Sequence, residues 1–292
     1  MTELAQQTGT SMPSTTAAVR RLQTVVVLPG QTPAALGTSH SRGLFSRLVG
    51  AVVAFVILGG LWQAVVSIFS FKPQLLPSPR LVFDAFTTNF VALAHNSKPT
   101  IYEAALGFVI AAALAIPLGL VLSRPNRIAT TIQTAVLSAQ VFPKVALAPL
   151  LVVWFGFGYM PKILFVILLT FFPITLNALA GFQSTSLEVR NLGRVIGMGS
   201  FERFRHIEGP WALPQIFAGL KISGSFAIIA AIVSEFVAAN SGLGYVIEGT
   251  TQTLNTSLMF AALFCVAILG FAFYGLIAGI ERILVPWHVS RR

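Results

Sequence analysis

Residues 249–280 read GTTQTLNTSLMFAALFCVAILGFAFYGLIAGI, with no Lys, Arg, Asp or Glu anywhere in the stretch. A helix needs roughly 20 predominantly apolar residues to cross about 30 Å of hydrocarbon, and this run exceeds that. Three more charge-free runs accompany it, Leu48–Phe71, Ala104–Ser123 and Ile163–Leu187. Over the 292 residues, 55% are hydrophobic and 10% charged, with a mean hydropathy of +0.81. A soluble globular chain carries about 25% charged residues, so there is too little charge here to cover a water-facing surface. The fold class is therefore an all-α integral membrane protein.

Six spans are expected, at about 48–70, 102–122, 128–154, 161–182, 216–238 and 258–284. Residues 1–42, rich in Thr, Ser, Gln, Ala, Pro and Gly, read as a disordered tail. Their one apolar stretch, Val25–Leu28, is too short for the core of a signal peptide. The membrane domain is expected over 43–288, followed by a short tail at 289–292. An even number of spans puts both termini on one side, and the basic residues say which. Fourteen Lys and Arg fall in the termini, near 123–127, across 183–215 and, as Lys221 and Arg282, near the span ends on that side, against Lys72, Arg80, Lys98 and Lys162 on the opposite side. The termini and the 183–215 loop are thus expected in the cytoplasm. The net charge of +10 follows from this topology, and no nucleic-acid role is expected. Cys265 stands alone and the four histidines are scattered without ligand spacing, so no metal site is expected.

Small residues recur through Ala111–Gly119, and Gly242-Leu243-Gly244 interrupts the chain after the fifth span. In lipid, small residues let helix backbones approach closely.

The longest cytoplasmic loop contains Leu187-Glu-Val-Arg-Asn-Leu-Gly-Arg-Val-Ile-Gly-Met-Gly-Ser-Phe-Glu-Arg-Phe-Arg-His-Ile-Glu-Gly-Pro-Trp-Ala-Leu-Pro214. Gly197–Gly199 predicts a flexible bend, Ser200 an N-cap, and Glu202 a negative charge in the first turn of a helix. That helix is expected to stop at Gly209-Pro210. Phe201, Phe204 and Ile207 recur at three-residue steps, giving an apolar ridge flanked by Arg203, Arg205 and Glu208. Two readings stay open: a helix lying on lipid headgroups, or a knob that docks a soluble partner.

This loop resembles the EAA signature of ABC importer permeases, aligned on Gly197, Ile207 and Pro210. The family's Glu falls on Asn191, its two alanines on Leu192 and Gly193, and its Leu on Gly209. The resemblance extends to Leu76-Pro-Ser-Pro79, Phe142–Leu150, Trp154-Phe-Gly-Phe-Gly158, Phe172-Pro-Ile174, Gly219-Leu-Lys-Ile222, Ser241–Tyr245 and Pro286-Trp-His288. These are similar to the nitrate, sulfonate and taurine branch of binding-protein-dependent inner-membrane components, which includes transporters of thiamine-pyrimidine precursors and riboflavin. Gly219–Ile222, Leu258–Ala262 and the closing Pro-Trp-His look more like the last two.

The resemblance implies a type I ABC importer permease fold of about six helices in a bacterial-type inner membrane. It implies a permease homodimer, a cytoplasmic ATP-binding subunit and an extracytoplasmic solute-binding protein. It also implies that Asn191, Gly193, Gly197, Ser200, Phe201, Arg203, Phe204, Ile207 and Pro210 belong to an ATPase-docking coupling loop. The chain lacks a Gly-x-x-x-x-Gly-Lys-Ser/Thr phosphate loop, so ATP is expected on the partner and no cofactor on this chain.

Charges inside spans are costly and usually face a bundle interior or a water-filled cavity. Lys144 is expected within the third span, either lining the solute path, paired with a carboxylate, or at a water-exposed break at Pro143. Glu235, late in the fifth span, is a candidate for helix pairing, an outer gate or solute contact. Glu103 is expected at the membrane interface, and Trp154, Phe155, Phe157 and Tyr159 in the outer aromatic belt. A membrane-embedded enzyme needs converging catalytic groups that the spans lack. An ion-gradient-driven secondary transporter predicts inverted repeats and more carboxylates, and neither is visible.

Overall fold

In the computed structural model, residues 44–287 are described, apart from 125 and 239. The expected tails at 1–42 and 289–292 lie outside them. Every regular element among the described residues is helical. The chain divides at Leu58, and what is described of the first unit is the leading half of α1 (Leu44–Phe69). The second unit starts at Gly59 and contains α2 (Pro79–Thr88), α3 (Phe90–Leu122), α4 (Arg127–Ser138), α5 (Ala148–Phe155) and α6 (Tyr159–Gln183). After these come α7 (Leu187–Val195), α8 (Ser200–Arg203), α9 (Gly209–Ala238), α10 (Leu243–Gln252) and α11 (Thr256–Leu284).

Five helices are long and apolar enough to cross a bilayer: α1, α3, α6, the continuous Ser200–Val237 rod and α11. The third expected span, 128–154, is not one helix. It is α4, an irregular stretch ending at Pro143, a 3₁₀ turn over Lys144–Leu147, and α5. Pro143 has no N–H to donate and biases Phe142 away from helical angles, so the ladder stops there. α3 begins twelve residues earlier than its expected span: at 33 residues it is about 50 Å long and outreaches the hydrocarbon.

α6 is the central helix, packed along α3 on one side and α9 on the other. The seam with α3 is made of small residues spaced to share one face: Ala104, Gly107, Ala111, Ala115 and Gly119, all buried. A Cβ on Gly107 would stand 2.6 Å from the Val166 Cβ, and one on Gly119 would stand 2.6 Å from the Ala178 Cβ and 2.9 Å from the Leu179 nitrogen. The sequence signal at Ala111–Gly119 is therefore the middle of a longer seam. Phe165, Val166, Ile174 and Ala227 complete the core. Val109, Leu114 and Val121 on α3 and Ile268, Phe271 and Leu276 on α11 are exposed. In a membrane chain, large exposed apolar side chains of this kind form the surface offered to lipid or to neighbouring helices.

One ion pair ties the N-terminal halves of α3 and α6. Glu103 is completely buried and Lys162 nearly so; the Lys162 Nζ donates to Glu103 Oε1 at 2.6 Å and stands 5.4 Å from the centre of the Tyr159 ring. Glu103 is thus enclosed by helices and paired, and Lys162 is not a free loop charge. Burying a lone carboxylate is costly, so each charge requires the other.

Two outcomes test this packing by thermal unfolding of the detergent-solubilised protein. Gly119→Leu should cost about 1–3 kcal/mol by overpacking the seam, whereas Gly270→Ala, with open space around it, should not. Lys162→Met should destabilise by about 3–5 kcal/mol, and adding Glu103→Leu should recover most of that, because only the single variant leaves a buried charge unpaired.

Candidate coupling surface and translocation path

Ser186 opens α7, its hydroxyl accepting from the Val189 nitrogen at 3.4 Å. The exposed Glu188 in the first turn is held below the usual carboxylate pKa by its backbone N–H and the Ser186 hydroxyl. α7 ends on Gly197, whose φ of 81° suits a residue without a Cβ. The Gly197 nitrogen donates to the Arg194 carbonyl at 3.1 Å and the Met198 nitrogen to the Gly193 carbonyl at 2.9 Å. Those two bonds form a Schellman cap, so the expected flexible bend is a defined turn.

Gly199, not Ser200, is the N-cap of α8, and it caps without a side chain. The helix also does not stop at Gly209-Pro210. A π-helical turn over Phe204–Glu208 widens the backbone before Pro210, and the chain continues into α9. A proline ring clashes with the carbonyl four residues back in a regular α-helix and leaves a bond unmade, and a local π turn relieves this crowding.

The apolar ridge divides. Phe201 is 74% exposed, whereas Phe204 stacks on Phe182 at the end of α6, with ring centres 6.1 Å apart. Ile207 packs over Gly193, where an added Cβ would meet its Cδ1 at 3.1 Å. The outward apolar surface of the loop is instead Phe201 together with Leu192, Val195 and Ile196, which are 60%, 83% and 65% exposed. The last three share one face of α7. Asn191 lies at the surface, its Oδ1 accepting from Arg194 at 3.4 Å. Arg203 lies inside, its Nε 3.6 Å from the Oε1 of the buried Glu208. Arg190 donates to the Phe182 carbonyl, binding α7 to the end of α6.

The two path candidates lie in different settings. Lys144 is half-buried at the helix break, its Nζ 3.3 Å from the Gln140 carbonyl and 5.0 Å from the centre of the Phe172 ring. Phe172 also lines an apolar groove of ≈ 400 Å³ between α5 and α6, with Trp154, Phe155 and Phe171. α4 and α5 are about 18 and 12 Å long at 1.5 Å per residue, so the break falls between two half-length helices. Trp154, Phe155, Phe157 and Tyr159 are exposed.

Glu235 is fully buried. Its Oε1 accepts from Thr100 Oγ1 at 2.7 Å and its Oε2 from the Gly244 nitrogen at 2.6 Å. The Leu243 nitrogen donates to Thr100 Oγ1 at 3.0 Å, and the Gly242 nitrogen to Asn96 Oδ1 at 3.1 Å. The Gly242–Gly244 turn is thus strapped across Glu235. Gly242 has a φ of 118°, and any Cβ there would collide with the Glu235 carboxylate. Asn96 and Thr100 carry no sequence motif; only their spacing with Glu103 along one helix hinted at a polar face. Among the described residues, no three His, Cys, Asp or Glu side chains converge as metal ligands.

Residues 107–285 match the family model described as binding-protein-dependent transport system inner membrane component. The riboflavin transport system permease protein RibX of Chloroflexus aurantiacus is 32% identical over 83% of this chain and 91% of its own length. The formylaminopyrimidine transport permease protein ThiX of Halalkalibacterium halodurans is 30% identical over 80% of this chain and 94% of its own. The putative aliphatic sulfonates transport permease protein SsuC of Bacillus subtilis is 26% identical over 90% and 96%. Among solved structures, an inward-facing MetNI methionine ABC transporter chain matches with a TM-score of 0.55 at 18% identity, over 66% of this chain and 94% of that one; this likeness concerns the fold. With a family match over more than half its length and relatives aligned nearly end to end, the chain belongs to the binding-protein-dependent transport system inner membrane components, the permease subunits of ABC importers.

Proposed function

We propose that this permease works as a homodimer with a cytoplasmic ATP-binding subunit docked on each 183–215 loop and a solute-binding protein on the opposite face. Both termini then lie in the cytoplasm, as the sidedness of Lys and Arg requires. The observation that carries the docking reading is the outward patch of Leu192, Val195, Ile196 and Phe201 on a loop otherwise rich in charge. Exposed apolar clusters rimmed by polar residues mark interaction surfaces. The Schellman cap and the Gly193–Ile207 contact hold that patch rigid, which lowers the entropy lost on docking.

The solute path is assigned to the broken helix at Lys144. Irregular backbone at membrane depth is tolerated only where protein buries it or where it lines a water-filled cavity. Lys144 keeps a half-exposed ammonium there, and Thr130, Thr131 and Thr134 of α4 are exposed beside it in the chain. A cation in such a place favours an anion or the electron-rich edge of a polar heterocycle. The solute class is therefore a small polar organic molecule or anion of the nitrate, sulfonate and taurine type or the thiamine-pyrimidine-precursor and riboflavin type. The sequence leanings toward the latter and the names of two relatives support the second group.

Two measurements check this reading. In liposomes, uptake should require the permease, the ATP-binding subunit, ATP and the binding protein together; gradient-driven uptake by the permease alone would overturn it. Val195→Asp and Phe201→Asp should each cut co-purification of the ATP-binding subunit by about tenfold or more, as loss of a buried apolar anchor does, with the melting temperature unchanged. Phe204→Asp should instead lower the melting temperature, because that ring is packed on Phe182. Normal co-purification of both outward variants would remove the docking assignment.

A further inference from the structure

Glu208 is 2% exposed, yet it lies in a loop that faces the cytoplasm under the reading above. Its Oε1 and Oε2 accept from the Nη1 and Nη2 of Arg124 at 3.1 and 2.8 Å, a two-pronged pairing. Arg203 approaches the same carboxylate from the coupling helix, at 3.6 Å. Paired guanidinium–carboxylate contacts of this kind fix orientation as well as distance.

Each partner is mechanically part of something larger. The Arg124 backbone nitrogen donates to the Val121 carbonyl at 3.3 Å, so Arg124 continues the last turn of α3. The carbonyl of the neighbouring Leu122 accepts from Gln133 Nε2 of α4 at 2.6 Å, and Leu122, Ala129, Val136 and Leu179 form one apolar cluster there. On the other side, Gly193 of α7 rests on Ile207 and on the Arg203 stem. An unbroken set of contacts thus runs from the outward patch through Gly193, Arg203 and Glu208 to Arg124, the end of α3, Gln133 and α4. α4 leads directly to the break at Pro143.

We infer that Glu208 is a positioning residue for coupling: its carboxylate transmits displacement of the docking loop to the cytoplasmic ends of α3 and α4, and through α4 to the broken helix at Lys144. The inference rests on the docking reading for the source of the displacement, but the linkage itself is a property of this chain alone. Three features make Glu208 the critical element. Among the described residues it is the one group that both α8 and the end of α3 contact by charge. It lies in the π turn that joins the coupling helix to the span. Its carboxylate is buried while the Arg124 side chain is 43% exposed, so solvent screens the pair less than it would a pair exposed at both ends. Loss of the charge leaves α7 and α8 attached to α6 through Arg190–Phe182 and Phe204–Phe182, so the loop stays folded while its connection to α3 is cut.

Two arms test this. In the first, the permease alone in nanodiscs is compared by hydrogen exchange with its Glu208→Gln variant. The linkage predicts faster exchange over residues 120–138 and unchanged exchange over α11, with the same change when Arg124→Gln replaces Glu208→Gln. Unchanged exchange over 120–138 overturns the inference. In the second, a Cys265→Ser, Val145→Cys protein is bound to the ATP-binding subunit. Labelling at 145 by a water-soluble maleimide is followed with and without a non-hydrolysable ATP analogue. Nucleotide should change the rate by about fivefold or more, and Glu208→Gln should abolish the change while the ATP-binding subunit still co-purifies. A full nucleotide response in Glu208→Gln overturns the inference. If the parent protein binds no ATP-binding subunit, the docking reading fails, and the nanodisc arm still decides the linkage.

Discussion

Close approach of α3 to α6 is the constraint on which the rest of this structure depends. Between helices in lipid there is little hydrophobic gain, because the hydrocarbon is as apolar as the side chains it replaces. Attraction must come from dense contact, and only small residues let two backbones come near enough. Ala104, Gly107, Ala111, Ala115 and Gly119 supply that contact over four turns. Close packing there places Glu103 within hydrogen-bond reach of Lys162, and a bulkier seam would separate that pair.

The charges follow from that arrangement. Glu103, Glu208 and Lys162 are buried and paired across elements, and Lys221 meets Glu281 at 2.7 Å between α9 and α11. Among the described residues Glu235 has no cation in ion-pair contact; its carboxyl is met by the Thr100 hydroxyl and a backbone nitrogen of the Gly242–Gly244 strap. The Glu103–Lys162 pair joins α3 to α6, the Glu235 bonds join α9 to α3 and to the turn into α10, and the Arg124–Glu208–Arg203 group joins α3 to the 183–215 loop.

The 183–215 loop shows how a local pattern is reassigned by its surroundings. Phe201, Phe204 and Ile207 recur as one ridge in sequence, but the π turn over Phe204–Glu208 and the contacts with Phe182 and Gly193 draw two of them inward. The surface vacated is taken up by Leu192, Val195 and Ile196 of α7, an element that helix signals around Gly197 did not reveal. Pro210 reads as a helix stop because a proline in a regular helix removes a bond; the π turn in front of it makes that bond unnecessary.

The sequence alone determined residence in the membrane, the stretches in which five of the six expected spans fall, and the family, because these depend on composition, run length and motif spacing along the chain. The small-residue seam was legible in part, through its four-residue period at Ala111–Gly119. Tertiary structure decided the rest: the partner of Glu103 lies 59 positions away, that of Glu208 lies 84 away, and the Thr100 hydroxyl reaches Glu235 across 135. No one-dimensional period encodes such pairings, since they arise only when α3, α6 and α9 are laid side by side. For the same reason the third span looked continuous: its apolar run satisfies the length rule for a helix, whereas the break at Pro143 depends on backbone geometry that hydropathy does not record.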